Sequence, residues 1–335
     1  MAYDQIERIM MEKTLNQTLH VAKTAKKDEF YTQLSDIESE LKHYESHFKD
    51  KVVFCNCDDP RNSNFFVYFS HNFEKLGLKK LITTCYKNQE NDLFIQEEAE
   101  KAVFLEYYGD KNGNKIPDAE EIGMIPLKGD GDFRSKESIE LLKEADIVVT
   151  NPPFSLFREY VEQLVKYEKK FLIIGNINAI TYKEIFKLIK ENKAWLGINM
   201  GRGISGFIVP DHYELYGTET RIDESGNRII SPNNCLWLTN LDTYKRHQDI
   251  VLTKTYYGNE TEYPHFDNYD AINVNKTQHI PSDFEGVMGV PITFLHKYNP
   301  EQFELIKFRK GNDEKDLSIN GKCPYFRILI KNRRI

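Results

Sequence analysis

The stretch "DIVVTNPPFSLFREY", Asp146 to Tyr160, decides how the rest of the chain is read. Ile147, Val148, Val149 and Thr150 have the character of a buried strand, and the run then stops at Asn151, Pro152, Pro153 and Phe154. Neither proline has an N–H to offer a sheet ladder, and the residue before each is pushed out of the helical region. Asn151 therefore marks a stiff strand end, with the Phe154 ring a fixed distance beyond it. Apolar or aromatic residues at 156, 157, 160, 164 and 167 then recur at helical spacing, with Ser155 as the expected N-cap. Strand, rigid loop and helix make a βα unit. In open α/β sheets, ligands bind beyond such carboxyl strand ends.

On both sides of this unit, apolar runs alternate with helical patterns. "KVVFCNC" (51–57), "KKLITTCY" (79–86) and "KKFLIIGN" (169–176) read as strands. "NSNFFVYFSHNFEKLG", "SKESIELLKEA" (135–145) and "TYKEIFKLIKEN" (181–192) read as helices. "KAVFLEYYG" running into "DKNGN" has the look of a hairpin. From about Ala194 the rhythm becomes strand–turn–strand, through "AWLGINMGRGISGFIVP" to "NNCLWLTNL". The expectation is a doubly wound, mostly parallel α/β sheet ending in an antiparallel pair. After about residue 243 the period fades, and "TYYGNETEYPHFDNYDAINVNKTQHIP" reads as loops, with a hairpin expected about Asn320-Gly321. The expected division is residues 1–243 and an irregular recognition region over 244–335.

The chain has 335 residues, 40% of them apolar and 29% charged, which is enough to bury a full core. No apolar run approaches the roughly 18 residues of a membrane span. "MAYDQIERIMMEKTLNQ" is charged throughout and lacks a signal-peptide core, so the expected location is the cytoplasm. Cys55, Cys57, Cys85, Cys235 and Cys323 form no CxxC and no paired His spacing, so reduced core thiols are expected and no metal site. The net charge of −7 gives no general affinity for nucleic acid. Basic residues nevertheless cluster locally, at Lys23, Lys26 and Lys27, and at Lys307, Arg309, Lys310, Lys322, Arg327, Lys331, Arg333 and Arg334.

Asn-Pro-Pro-Phe after the fourth strand of such a sheet resembles the catalytic motif of the DNA adenine-N6 methyltransferases. "DEFYTQLSDIE", "FCNCDDPRNSNFF", "GDGDFRS", "GFIVPDHYELYGTE" and "YDAINVNKT" extend the likeness over nearly the whole chain to the EcoRI-type modification methylases. The resemblance implies a Rossmann-like methyltransferase fold and S-adenosylmethionine as cofactor. It further implies duplex DNA as partner and a hexanucleotide site such as GAATTC, within a type II restriction-modification system. A monomer is expected, because each strand of a palindrome is methylated in a separate event.

Elementary chemistry agrees with the resemblance. The exocyclic N6 of adenine is a poor nucleophile because its lone pair is delocalised into the ring. Two fixed acceptors for its N–H groups, the Asn151 side-chain oxygen and the Pro152 carbonyl, favour the pyramidal and nucleophilic geometry. Pro152 and Pro153 keep them rigid, and Phe154 stacks on the base. Positioning and electrostatic preorganisation then carry the reaction, with no metal. The adenine has to be flipped out of the duplex first.

For the cofactor, the family's motifs match Tyr31 and Thr32, and also Asp132, with Asp130 as its rival. Asp58 and Asp59 offer carboxylates where most members carry a glycine-rich loop. Phe207 is a candidate second ring for the flipped base, or else core. Two other readings compete: a protein glutamine N5-methyltransferase, which shares the planar amide logic, and a non-catalytic DNA-binding protein.

Overall fold

The computed structural model describes residues 31–57, 63–84, 102–113, 117, 121–209, 220–231 and 234–335. The chain divides into two compact units, one of 1–179 with 199–241 and the other of 180–198 with 242–335. The segment 180–198 thus joins the later unit, where a single boundary near residue 243 was expected.

In the first unit the strands are β1 (Tyr31–Thr32), β2 (Val52–Asn56), β3 (Lys80–Thr84), β4 (Val103–Tyr107), β5 (Ile122–Pro126), β6 (Ile147–Thr150) and β7 (Lys170–Asn176). After β8 (Trp195–Met200), which spans the division, come β9 (Phe207–Val209), β10 (Thr220–Ile222), β11 (Arg228–Ile230) and β12 (Cys235–Thr239). Helices α1 (Leu34–Leu41), α2 (Asn64–His71), α3 (Phe73–Leu76), α4 (Lys136–Glu144) and α5 (Phe157–Lys166) belong to the same unit.

As far as β12, the main sheet runs β5-β4-β3-β2-β6-β7-β12. Its centre is parallel: β2 pairs in parallel with both β3 and β6, and β6 with β7. β4 and β5 form the expected hairpin on one side, and β12 lies antiparallel to β7 on the other. Strands β2, β3 and β6 are buried at every position, the signature of a sheet covered on both faces. Ser63 and Ser135 cap α2 and α4 with their hydroxyls.

A second, small sheet runs β1-β9-β11-β10. Its strands have two or three residues each, so the expected antiparallel finish is shared between this sheet and β12.

The second unit holds α6 (Lys183–Lys190) and strands β13 (His265–Phe266), β14 (Tyr269–Asn273), β15 (Met288–Pro291), β16 (Phe303–Phe308) and β17 (Arg327–Asn332). These form a five-stranded sheet in the order β13-β14-β15-β17-β16 around its own core of Phe266, Ala271, Leu317 and Leu329. The irregular tail expected from sequence is therefore a sheet. The 3₁₀ turns at Thr277–His279 and Ile292–Lys297 interrupt it between β14 and β15 and between β15 and β16, which hides the period. Asn320 and Gly321 do form a tight turn, both with positive φ (50° and 70°), and their amides donate to the Asp267 carboxylate. Ile319 and Lys322 bridge antiparallel across it, each amide donating to the other's carbonyl at 2.9 and 3.0 Å, so the expected turn closes, and the strand that follows it, β17, pairs with β15 and β16. Cys55 and Cys235 are buried as expected, whereas Cys323 is exposed.

Candidate active site

Three amides end three adjacent parallel strands at one edge of the main sheet: Asn56 closes β2, Asn151 follows β6 and Asn176 closes β7. All three are buried. The Thr150 hydroxyl donates to the Asn56 carbonyl, which ties the two central strand ends together just before the bend. The Asn176 side-chain oxygen accepts from the Asn178 amide at 2.8 Å.

Beyond Asn151 the chain enters a 3₁₀ turn at Phe154–Leu156 and then α5. Ser155 is not the cap. The turn has already begun at Phe154 and closes with the Leu156 N–H donating to the Pro153 carbonyl at 3.0 Å, so Ser155 lies inside it. The residue that precedes α5 is Leu156, and it makes no side-chain cap. The helix is anchored on three sides instead. Its first ring, Phe157, lies where a Cβ on Gly175 would come within 2.5 Å of it, so β7 needs glycine there. The Tyr160 hydroxyl donates to Asn56 Oδ1, and burial pushes that phenol well above its ordinary pKa. Gln163 Nε2 donates to the Phe133 carbonyl at 2.9 Å, and the Phe133 and Tyr160 rings meet edge to face at 5.0 Å.

Phe154 is half-buried and packs edge-on against Phe207, centroid to centroid 6.0 Å. Phe207 is wholly buried, so it supports the Phe154 ring from the core and presents no face of its own. Phe207 is also the antiparallel partner of Thr32, which draws β1 to the same place. Asn64, at the start of α2, donates to the Thr32 carbonyl at 2.8 Å. The Thr32 hydroxyl is buried and has no hydrogen-bond partner among the described residues.

Sequence reading missed the clamp that holds β1 and β9 in register. Gln33 Nε2 donates to Ser205 Oγ at 2.6 Å and to the Gly206 carbonyl at 2.9 Å. Asp36 accepts from both the amide and the hydroxyl of Ser205, and its burial raises the carboxyl pKa. Gly206 has φ 128°, and a Cβ there would lie 2.8 Å from the Ile230 carbonyl. The one local signal was the glycine, because a polar clamp spanning about 170 positions has no sequence period.

A family model of adenine-specific methyltransferases, described as EcoRI, matches residues 18–333. The chain belongs to this family. It is 68% identical to the type II methyltransferase M.EcoRI of Escherichia coli, over 97% of this chain and 99% of the relative. It is 41% identical to the type II methyltransferase M.MgeORF184P of Mycoplasma genitalium, over 94% of this chain and 98% of the relative. With M.MpnI of Mycoplasma pneumoniae the identity is 38%, over 93% and 97%. No solved structure matches.

In this adenine-specific methyltransferase the loop "GDGDFRS" uses its carboxylates on itself. Asp130 Oδ1 accepts the Asp132 amide at 3.0 Å. Asp132 takes Arg134 in a fork, at 2.9 Å from Nε and 2.6 Å from Nη2, which holds its carboxyl below the usual range. Tyr31 lies on β1 opposite Ile208, and Thr32 opposite Phe207. Asp58 and Asp59 lie outside the described residues, as do Lys23, Lys26, Lys27 and Cys85. Among the described residues, no helix is long and apolar enough to cross a membrane.

Proposed function

We propose that this adenine-specific methyltransferase acts on duplex DNA, with S-adenosylmethionine as donor, as the modification half of a type II restriction-modification system. The observation that carries the reading is the Asn151–Phe154 bend at the carboxyl edge of the central parallel strands, with one ring half-exposed over a buried aromatic. We read the main sheet as the Rossmann-like methyltransferase fold and residues 244–335 as the target-recognition region. A monomer working in the cytoplasm on a GAATTC-like site completes the proposal.

The bound donor supplies an electrophilic methyl group on a sulfonium. The residues present fit such a group. The Thr32 hydroxyl, and those of Thr83 and Thr84 at the end of β3, are buried without partners among the described residues, a state costly unless a ligand meets it. Tyr31, Asp130 and Asp132 are the further candidates, with Asp58 and Asp59 carried from sequence alone.

On the substrate side, the Asn151 side-chain oxygen and the Pro152 carbonyl accept the two N6–H groups and favour the pyramidal amine. Pro152 and Pro153 keep those acceptors from relaxing. Phe154, backed by Phe207, takes the face of the extruded adenine and offsets its lost stacking. The extra proton leaves N6 after transfer, so no strong base is needed. Membership of an adenine-specific family favours this reading over transfer to a protein glutamine amide.

The test is transfer of labelled methyl to a duplex carrying GAATTC, followed by sequencing of modified bases in DNA from an expressing host. N6-methyladenine within one hexanucleotide is the expected result. Label on protein and none on DNA would refute the proposal.

A further inference from the structure

Residues 307–334 of the second unit carry nine basic and three acidic residues, in a chain whose net charge is −7. Within this segment the surface holds an uncommon grouping. Tyr325 is 65% exposed and Phe326 is 37% exposed, with their ring centroids 6.2 Å apart. The Arg309 guanidinium carbon lies 4.2 Å from the Phe326 ring centre, and its Nε pairs with Asp316 Oδ1 at 3.3 Å, a half-exposed contact that a phosphate would compete with. Phe308 backs Phe326 at 6.2 Å, and α6 in turn braces Phe308 through Phe186 at 5.4 Å.

The main chain beneath the rings is fixed from inside. Arg327 is buried, and its Nη1 donates to the Tyr325 carbonyl at 3.1 Å and to that of Phe326 at 3.4 Å. Its Nε donates to Asn273 Oδ1 at 2.8 Å and its Nη2 to Asn275 Oδ1 at 3.4 Å. These four acceptors are neutral oxygens, so a buried cation holds up the exposed rings. Large rings left in water by a rigid support mark a contact surface. The excess of positive charge selects a polyanion as the partner. A guanidinium stacked on an aromatic face presents both a phosphate ligand and a flat apolar platform.

We propose that Arg309, Tyr325 and Phe326 form a lip that grips duplex DNA, the guanidinium on a backbone phosphate and the rings against sugar and base edges. The proposal rests on the DNA-methyltransferase reading above and adds the residues that hold the substrate. The two components differ in salt dependence: a phosphate contact releases counterions and a ring contact does not.

The experiment measures binding of a fluorescent GAATTC duplex to the full-length protein over a series of salt concentrations. Arg309→Ala should flatten the slope of log K against log salt by about 1. Tyr325→Ala should weaken binding about tenfold at every salt concentration with the slope unchanged, the size of one lost ring contact. Because Tyr325 is exposed, the thermal unfolding of its variant should match the parent and rule out a folding defect. Parental affinity and slope in both variants would overturn the lip, as would loss of self-association with DNA affinity intact. If the parent methylates duplex DNA and only the variants fail to differ, the lip alone falls. If the parent neither binds nor methylates duplex DNA, the underlying reading falls with it.

Discussion

At the carboxyl edge of the main sheet Asn151 is 7% exposed, next to strand ends locked by Thr150 and Tyr160; at the start of β17 Tyr325 is 65% exposed over a braced backbone. Both places are rigid, and they differ in what they show to solvent. On the proposed reading the first sets acceptors for a weak nucleophile, where small misplacement costs rate and water competes for every hydrogen bond. The second, as the proposed lip, presents rings and charge to a surface that must be bound and released, so exposure is what makes it useful. Rigidity serves both, and burial separates placing a reacting atom from holding a polymer.

The sharpest attack on that contrast is at the buried end. Asn151→Ala should lose at least ~100-fold in kcat, as for removal of one preorganised electrostatic group, while donor and DNA binding persist. Single-turnover methylation checks it, and activity near that of the parent would break the comparison. Next, Gly175→Ala forces a methyl against Phe157 at the head of α5 and should destabilise the fold by about 1–3 kcal/mol in urea unfolding. Tyr160→Phe leaves the buried Asn56 oxygen without its donor and should cost about 1–2 kcal/mol by the same measurement.

The smallest effect belongs to the exposed side. His247 is bound by Asp242 at 2.8 Å, which raises the imidazole pKa above its ordinary 6.5. A raised folded-state value means the contribution to stability is complete below 6.5 and fades as pH rises through the folded-state midpoint. His247 is 43% exposed, so the change should be slight. An NMR titration midpoint at or below 6.5 would contradict it.

The elements legible in the sequence are those whose signal is local. Strands β2, β3, β6 and β7 are continuous apolar runs, and α4, α5 and α6 show one apolar face with flanking polar residues. The bend at Asn151 was legible because two prolines leave the chain few options. Three features were hidden because no local period carries them. The small sheet pairs residues 31–32 with 207–208, and no period survives in two-residue strands. The five-stranded sheet of the second unit mixes a parallel β14–β15 pair with antiparallel neighbours across turns that break its rhythm. Phe207 reads alike as base platform or core from its neighbours, and only the packing beneath Phe154 makes it support. Ser155 misled because its residue type favours a cap, whereas the turn on Pro153 had already absorbed it.

Among the described residues the buried Thr32 hydroxyl lacks a partner, in a strand that pairs with β9 at two positions. If the methyl donor is what answers it, occupancy stitches that strand down and scarcity lets it come undone more often. Housekeeping proteases would then find their easiest cut when donor runs low. Abundance of the enzyme would follow the supply of the very metabolite it consumes.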